Sequence, residues 1–170
     1  MLGPGASGGE TPRDISINTH RSFRAGLVRL KFSTRARYGM RAMLDLAEQN
    51  EGKLVLLKDI AERQEISKRY LEHMMTLLRN RGLIVAERGA SGGYRLARAP
   101  HEIRLDEIFE ALEGELAPVD CVRDAAVCKR SEDCAVRDLW CDMTNAMRVV
   151  LEGQTLADLK RRAEKLRSAG

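Results

Sequence analysis

Cys121, Cys128 and Cys134 lie close together in the second half of the chain, with six and then five residues between them. They fall on an irregular stretch, Gly114 to Asp133, and at the start of the helical pattern that follows it. Thiolates are preferred ligands for soft metals and iron–sulfur centres, and an irregular loop can curl several sulfurs around one point. The same three residues suit a zinc site, a thiol switch that condenses to disulfides on oxidation, or no ligand at all. Zinc is the weaker reading, because no Cys-x-x-Cys pair is present. Cys141 is a fourth thiol, seven residues beyond Cys134; if both sit in one helix, the rise between them is about 10.5 Å, too far for one small cluster.

These residues are held by a mostly helical chain. Apolar residues Met40, Met43, Leu44 and Ala47 recur at helical spacing from Thr34 to near Asn50–Gly52, which predicts a first helix. A short helix is expected over Leu57–Arg63. A third follows, with Ser67 as its N-cap, a stripe of Leu71, Met74, Met75 and Leu78, and Gly82 just beyond its end. The run Leu83–Glu87, the glycine-rich Gly89–Gly93 and then Tyr94-Arg95-Leu96 read as a hairpin. Leu105–Glu113 reads as a helix, and a long one runs from Cys134 to about Leu151 with Leu139, Met143, Ala146, Met147 and Val150 on one face. Thr155 and Asp158 resemble a capping box that opens a last helix, Leu156–Lys165.

Two short helices, a tight turn and a glycine-tipped hairpin make a winged helix-turn-helix, in which the second helix enters the major groove and the wing reaches the neighbouring backbone or minor groove. Ser67, Lys68, Arg69 and Glu72 project from the first turns of the reading helix; arginine bonds guanine bidentately and glutamate accepts from cytosine N4. Arg88, just before the wing tip, suits a narrowed minor groove, and Ser91, Gly92 and Gly93 let backbone amides approach phosphate. His73 stands alone on this helix and reads as a surface or packing residue, while His20 and His101 belong to no constellation.

The charge distribution agrees. Residues 34–98 carry 13 Lys/Arg against 8 Asp/Glu, while residues 99–170 carry 11 against 15, a basic segment joined to an acidic module. Aromatic content of 4% and hydrophobic content of 44% fit a helical core of Leu, Ala and Met. No stretch approaches a membrane span and no secretory h-region follows the start, so a cytoplasmic protein with reduced thiols is expected. A catalytic Ser/His/Asp set, a phosphate loop and a metal-binding His pair are all missing, which argues against an enzyme.

Several segments together resemble one family: Phe32-Ser33-Thr34-Arg35-Ala36-Arg37-Tyr38-Gly39, Leu57-Lys58-Asp59-Ile60-Ala61-Glu62-Arg63-Gln64, Ile66-Ser67, Tyr70-Leu71-Glu72, and Arg88-Gly89 through Gly92-Gly93-Tyr94. From about Lys31 to Lys160 the chain is similar to the IscR/NsrR/CymR family of bacterial winged-helix regulators. The resemblance implies a mainly α fold with a small β-hairpin wing, a winged helix-turn-helix plus a long dimerisation helix. It also implies a homodimer on a roughly palindromic double-stranded DNA operator. In the family, the positions of Ser67, Arg69, Tyr70 and Glu72 face the major groove and that of Arg88 serves the wing. Tyr38 reads as a packing residue.

The resemblance also bears on the cysteines. Members that sense through a 2Fe-2S or 4Fe-4S iron–sulfur cluster use three cysteines in a similar loop, which implies ligand roles for Cys121, Cys128 and Cys134. Some relatives add a histidine three residues after the last loop cysteine, where this chain has Arg137; others add an acidic residue from the partner's first helix, where it has Arg37. Neither can bind iron, so the fourth ligand stays open between Cys141, a partner residue and a small exogenous ligand. The CymR branch implies the alternative, a cluster-free regulator of sulfur metabolism controlled by thiol oxidation or by binding a metabolic enzyme.

The expected organisation is a disordered or non-native extension over residues 1–30, a DNA-binding domain over 31–113, a sensor loop over 114–134, and a dimerisation helix with a C-terminal helix over 135–170. Met1–Pro12 is rich in Gly, Ser and Pro, and no apolar periodicity develops before Phe32. A natural start near Val28 or Leu30 is therefore expected. N-terminal mass spectrometry of the native protein checks this, and a peptide from residues 1–24 would contradict it.

Overall fold

The structure, a computed structural model, describes residues 32–49, 53–89 and 92–170. The expected extension over residues 1–30 and the first helix's end at Asn50–Gly52 lie outside the described residues. Among the described residues, seven α-helices and one hairpin follow in order: α1 Thr34–Gln49, α2 Leu57–Gln64, α3 Lys68–Asn80, β1 Ile84–Glu87, β2 Gly93–Leu96, α4 Leu105–Glu113, α5 Asp120–Arg123, α6 Ala135–Glu152 and α7 Leu156–Ser168. Among the described residues no helix is long and apolar enough to cross a membrane.

The core forms where the stripes of α1, α3 and α4 meet. Met43, Leu46, Ile60, Leu71, Met74, Met75, Leu78, Ile108 and Leu112 are all sealed from solvent. The α3 stripe is buried as its spacing predicts. On α1 the buried face is turned from the expected one: Ala42 and Leu46 are fully buried, while Met40 and Leu44 are half-exposed. The reason is that α1 is enclosed on several sides, by α2, α3, α4 and α7, so no single stripe describes it.

Two polar devices fix the helix-turn-helix. Ser67 accepts a hydrogen bond from the Tyr70 N–H and caps α3; Gly82, at φ +68°, follows its C-terminus. Asp45 on α1 is 2% exposed and takes both Arg63 nitrogens at 2.9 and 2.7 Å. Gln64 adds a third bond at 2.9 Å. Gln64 in turn accepts from Arg41, on its side-chain oxygen at 3.0 Å and its carbonyl at 2.7 Å. A buried carboxylate must be fully partnered, and these partners tie α2 to α1.

The chain leaves the winged-helix unit along α6 and returns with α7. Leu156 is fully buried, its N–H donates to the Ile103 carbonyl at 2.8 Å, and the Leu105 N–H donates to the Gln154 carbonyl at 3.0 Å. The Thr155–Asp158 capping box forms as its sequence indicates. Arg167 pins the far end of α7 to Glu48 at 2.8 Å. By contrast, α6 buries only Thr144; Val136, Leu139, Val149 and Val150 are each more than half exposed.

Removing Arg63 leaves the Asp45 carboxylate with Gln64 as its side-chain partner. Arg63→Ala is expected to lower the unfolding free energy by about 2 kcal/mol, less than for a fully dry pair because the Arg63 side chain is 37% exposed. Urea denaturation checks this, and the double variant with Asp45→Asn should lose less than the sum of the two single changes.

Candidate DNA-reading surface and cysteine loop

Lys68, Arg69 and Glu72 are exposed on the first turns of α3, with the capping Ser67 exposed beside them. Lys68 and Glu72 line an open groove of about 420 Å³ between α3 and the hairpin, and Arg88, Gly92 and Gly93 line its other wall. The structure therefore brings these five predicted residues to one place. Ser67 and Arg69 stand outside that lining, and Ser91 lies outside the described residues. Lys58 and Arg79 also line the groove, although neither was singled out from the sequence. Arg79 could have been found, since it stands seven positions after Glu72 on the same face of α3; Lys58 comes from α2 and carries no such signal. The groove has four cations against Glu72 and Glu87, and Glu87 already faces Arg95 at 3.4 Å. Its net character suits a polyanion.

Tyr70 is placed differently from its neighbours. It is half-buried, its ring meets Tyr38 edge-on at 6.2 Å, and its hydroxyl donates to Thr34 at 3.1 Å. Arg37 and Arg41 stack on the Tyr38 ring at 5.0 and 5.6 Å. Tyr38 therefore packs, as its sequence context implies, and Tyr70 joins the reading helix to α1.

The wing is a two-stranded antiparallel ribbon in the register Ile84↔Leu96 to Glu87↔Gly93. Val55 extends it with two backbone bonds to Tyr94, at 2.9 and 2.8 Å. A Cβ on Gly93 would come within 2.7 Å of the Val55 carbonyl oxygen. Only glycine lets the three backbone segments approach this closely.

The cysteine segment is more structured than its sequence suggests. It contains α5 and a 3-10 turn, Ala125–Val127, closed by the Asp124 side chain on the Ala126 N–H and by the Ser131 hydroxyl on the Ala125 carbonyl. Cys121 lies on α5, Cys128 follows the turn, and Cys134 caps α6, its sulfur accepting from the Arg137 N–H at 3.4 Å. All four cysteines are unpaired and half-buried. Cys141 lies two turns along α6 and lines a cleft of about 480 Å³ with Thr144, Asn145 and Arg148, into which Val122 and Arg123 of α5 also reach. Among the described residues no three Cys, His, Asp or Glu side chains are gathered closely enough to hold a metal ion. Three free thiols in one segment are nevertheless a donor set that suits iron with sulfide.

Residues 32–162 match the family model Rrf2, described as an iron-dependent transcriptional regulator. The chain belongs to the Rrf2 family. It is 42% identical to the Rrf2 protein of Nitratidesulfovibrio vulgaris over 134 residues, which span 79% of this chain and 89% of the relative. Among solved structures, IscR of T. potens is similar with a TM-score of 0.67 and 38% identity, covering 81% of this chain and 90% of that one. CymR, the global cysteine regulator of B. subtilis, gives a TM-score of 0.66 and 36% identity, covering 79% and 98%. The family resemblance read from the sequence is thus correct, and so is the mainly helical winged fold. Rrf2 relatives are transcriptional regulators rather than enzymes.

Because the wing of this Rrf2 protein depends on a close backbone approach, Gly93→Ala should push β2 away from Val55. The expected cost is about 1–3 kcal/mol of stability, with weaker DNA binding. Urea denaturation and fluorescence anisotropy on a duplex selected by the wild type check this; no change in either would contradict it.

Proposed function

We propose that this Rrf2 protein is a homodimeric transcriptional regulator whose winged helix reads a near-palindromic duplex under control of its cysteine loop. The observation that carries the reading is the shared cationic groove between α3 and the wing. Lys68, Arg69 and Glu72 are the base-facing set, with Ser67 capping them. Arg88 serves the wing, Gly92 and Gly93 hold its shape, and Ser91 is proposed as a further phosphate contact. Tyr70 sets the angle of α3 through Tyr38 and Thr34 while its exposed edge faces the duplex.

A second copy of the chain is the partner for the exposed face of α6. That face continues into an apolar groove of about 780 Å³ lined by Phe32, Ala36, Met40, Phe109, Met147 and Val150. Together with exposed Val136, Leu139 and Val149 on α6, this makes a contiguous apolar face suited to association. Because α1 forms one wall of this groove and also carries Tyr38, a shift of α6 bears on the element that holds α3. In a dimer, a small rotation changes the spacing of two reading helices that must match the groove repeat.

Cys121, Cys128 and Cys134 are proposed to hold an iron–sulfur cluster, of 2Fe-2S or 4Fe-4S type, in keeping with the family's iron dependence. Such a cluster supplies a centre whose occupancy and charge respond to oxidants and iron supply. The chain's contribution is placement. Cys134 sits at the first turn of α6, so drawing the loop together acts directly on that helix. One rival is a cluster-free switch in which two of the thiols form a disulfide while a peroxide is reduced. A solved relative, CymR of Staphylococcus aureus, is described in an oxidised form. A metabolic enzyme bound by colourless protein would be the other form of that rival.

Anaerobic reconstitution with iron and sulfide decides between them. Visible absorbance that is lost in Cys121→Ala, Cys128→Ala and Cys134→Ala supports the cluster, whereas a colourless, iron-free wild type overturns it. DNA readout is tested separately. Arg88→Ala, which removes one wing cation from the duplex, should reduce the slope of log affinity against log salt by about 1, and Glu72→Gln should alter base preference with the slope unchanged.

A further inference from the structure

Arg137 touches both ends of the cysteine loop. Its backbone N–H meets the Cys134 sulfur at 3.4 Å, and its side-chain Nε donates to the Cys121 carbonyl at 2.7 Å across sixteen positions of sequence. The middle of the loop closes on itself through Asp124 and Ser131. Arg123 is spent on Asp120 within α5. Among the described residues, no other side-chain hydrogen bond joins the segment 119–133 to α6. Arg137 is also half-buried, whereas Arg123, Lys129 and Arg130 are exposed.

We propose that Arg137 is the positioning residue of the loop, a clamp that holds Cys121 against the start of α6 beside Cys134. A guanidinium bonded to a peptide carbonyl is charge-assisted. The clamp acts on the thiols without being a ligand. It sets the separation of the first and last thiols while the locally folded turn carries Cys128. The proposal concerns the metal-free protein and rests on the reading of this loop as the sensor only for its consequence, faster uptake of iron and sulfide.

The test uses the reduced, metal-free full chain and dibromobimane, which fluoresces when it bridges two neighbouring thiols, with peptide mapping of the bridge. The wild type should give a Cys121–Cys134 bridge. Arg137→Ala should lower its yield by about fivefold, as expected for loss of one charge-assisted hydrogen bond at a half-exposed site. Arg137→Lys, which keeps a cationic donor, should restore much of the yield. The melting temperature should be the same in all three proteins, which separates a clamp from general unfolding. Equal bridging in wild type and Arg137→Ala, or no Cys121–Cys134 bridge in the wild type, overturns the proposal. Parallel reconstitution keeps the two readings apart. If bridging follows Arg137 while the wild type takes up no iron, the clamp stands and the cluster reading falls.

Discussion

The DNA-facing half of this protein depends on one buried carboxylate. Asp45 lies inside α1, where an unpaired charge would be untenable, and its oxygens are taken by Arg63 and Gln64 of α2. That requirement fixes the second helix against the first. Gln64 then returns to α1 through Arg41, whose guanidinium stacks on Tyr38. Tyr38 and Thr34 together meet Tyr70. A polar chain thus runs from the helix-turn-helix lock to the reading helix, all of it anchored on α1. The apolar core beneath supplies bulk stability, but this chain sets the angle at which Lys68, Arg69 and Glu72 leave the surface.

The same helix meets the side that carries the cysteine segment and α6. Its N-terminal turns line the apolar groove beside α6, and α7 returns to grip it through Leu156 and Arg167. α1 therefore stands between the groove beside α3 and the long helix that Cys134 caps. On the proposed function, a change at the cysteine loop would reach α3 by displacing α6, and DNA would then alter the loop in return.

Much of this was legible in the sequence because the signals were local. The Leu71, Met74, Met75 and Leu78 stripe, the Ser67 cap, the glycine-tipped wing and the Thr155–Asp158 box each depend on spacing within one element. The buried face of α1 was not legible, since a helix gripped from several sides has no single period to show. Lys58 was missed because the groove joins α2 to α3 and the wing, a juxtaposition that only folding creates. Arg137 was noted for what it lacks, a metal-binding atom, when its role arises from a bond to Cys121 that no periodicity announces. The cysteine segment contained turns closed by Asp124 and Ser131, residues whose side chains compete for backbone bonds locally and leave no apolar pattern.

The central claim is that the state of the cysteine loop sets how tightly the winged helix holds DNA. The direct measurement is fluorescence anisotropy on one duplex, selected by the protein from a random library, at fixed salt under anaerobic conditions. Reconstituted and metal-free wild type are compared with the Cys128→Ala protein taken through the same two treatments. The account predicts affinities that differ by about tenfold between the two wild-type forms, within the usual range of allosteric coupling, and no difference between the two Cys128→Ala samples. Equal affinities for the two wild-type forms, with iron and sulfide bound in one of them, would contradict it.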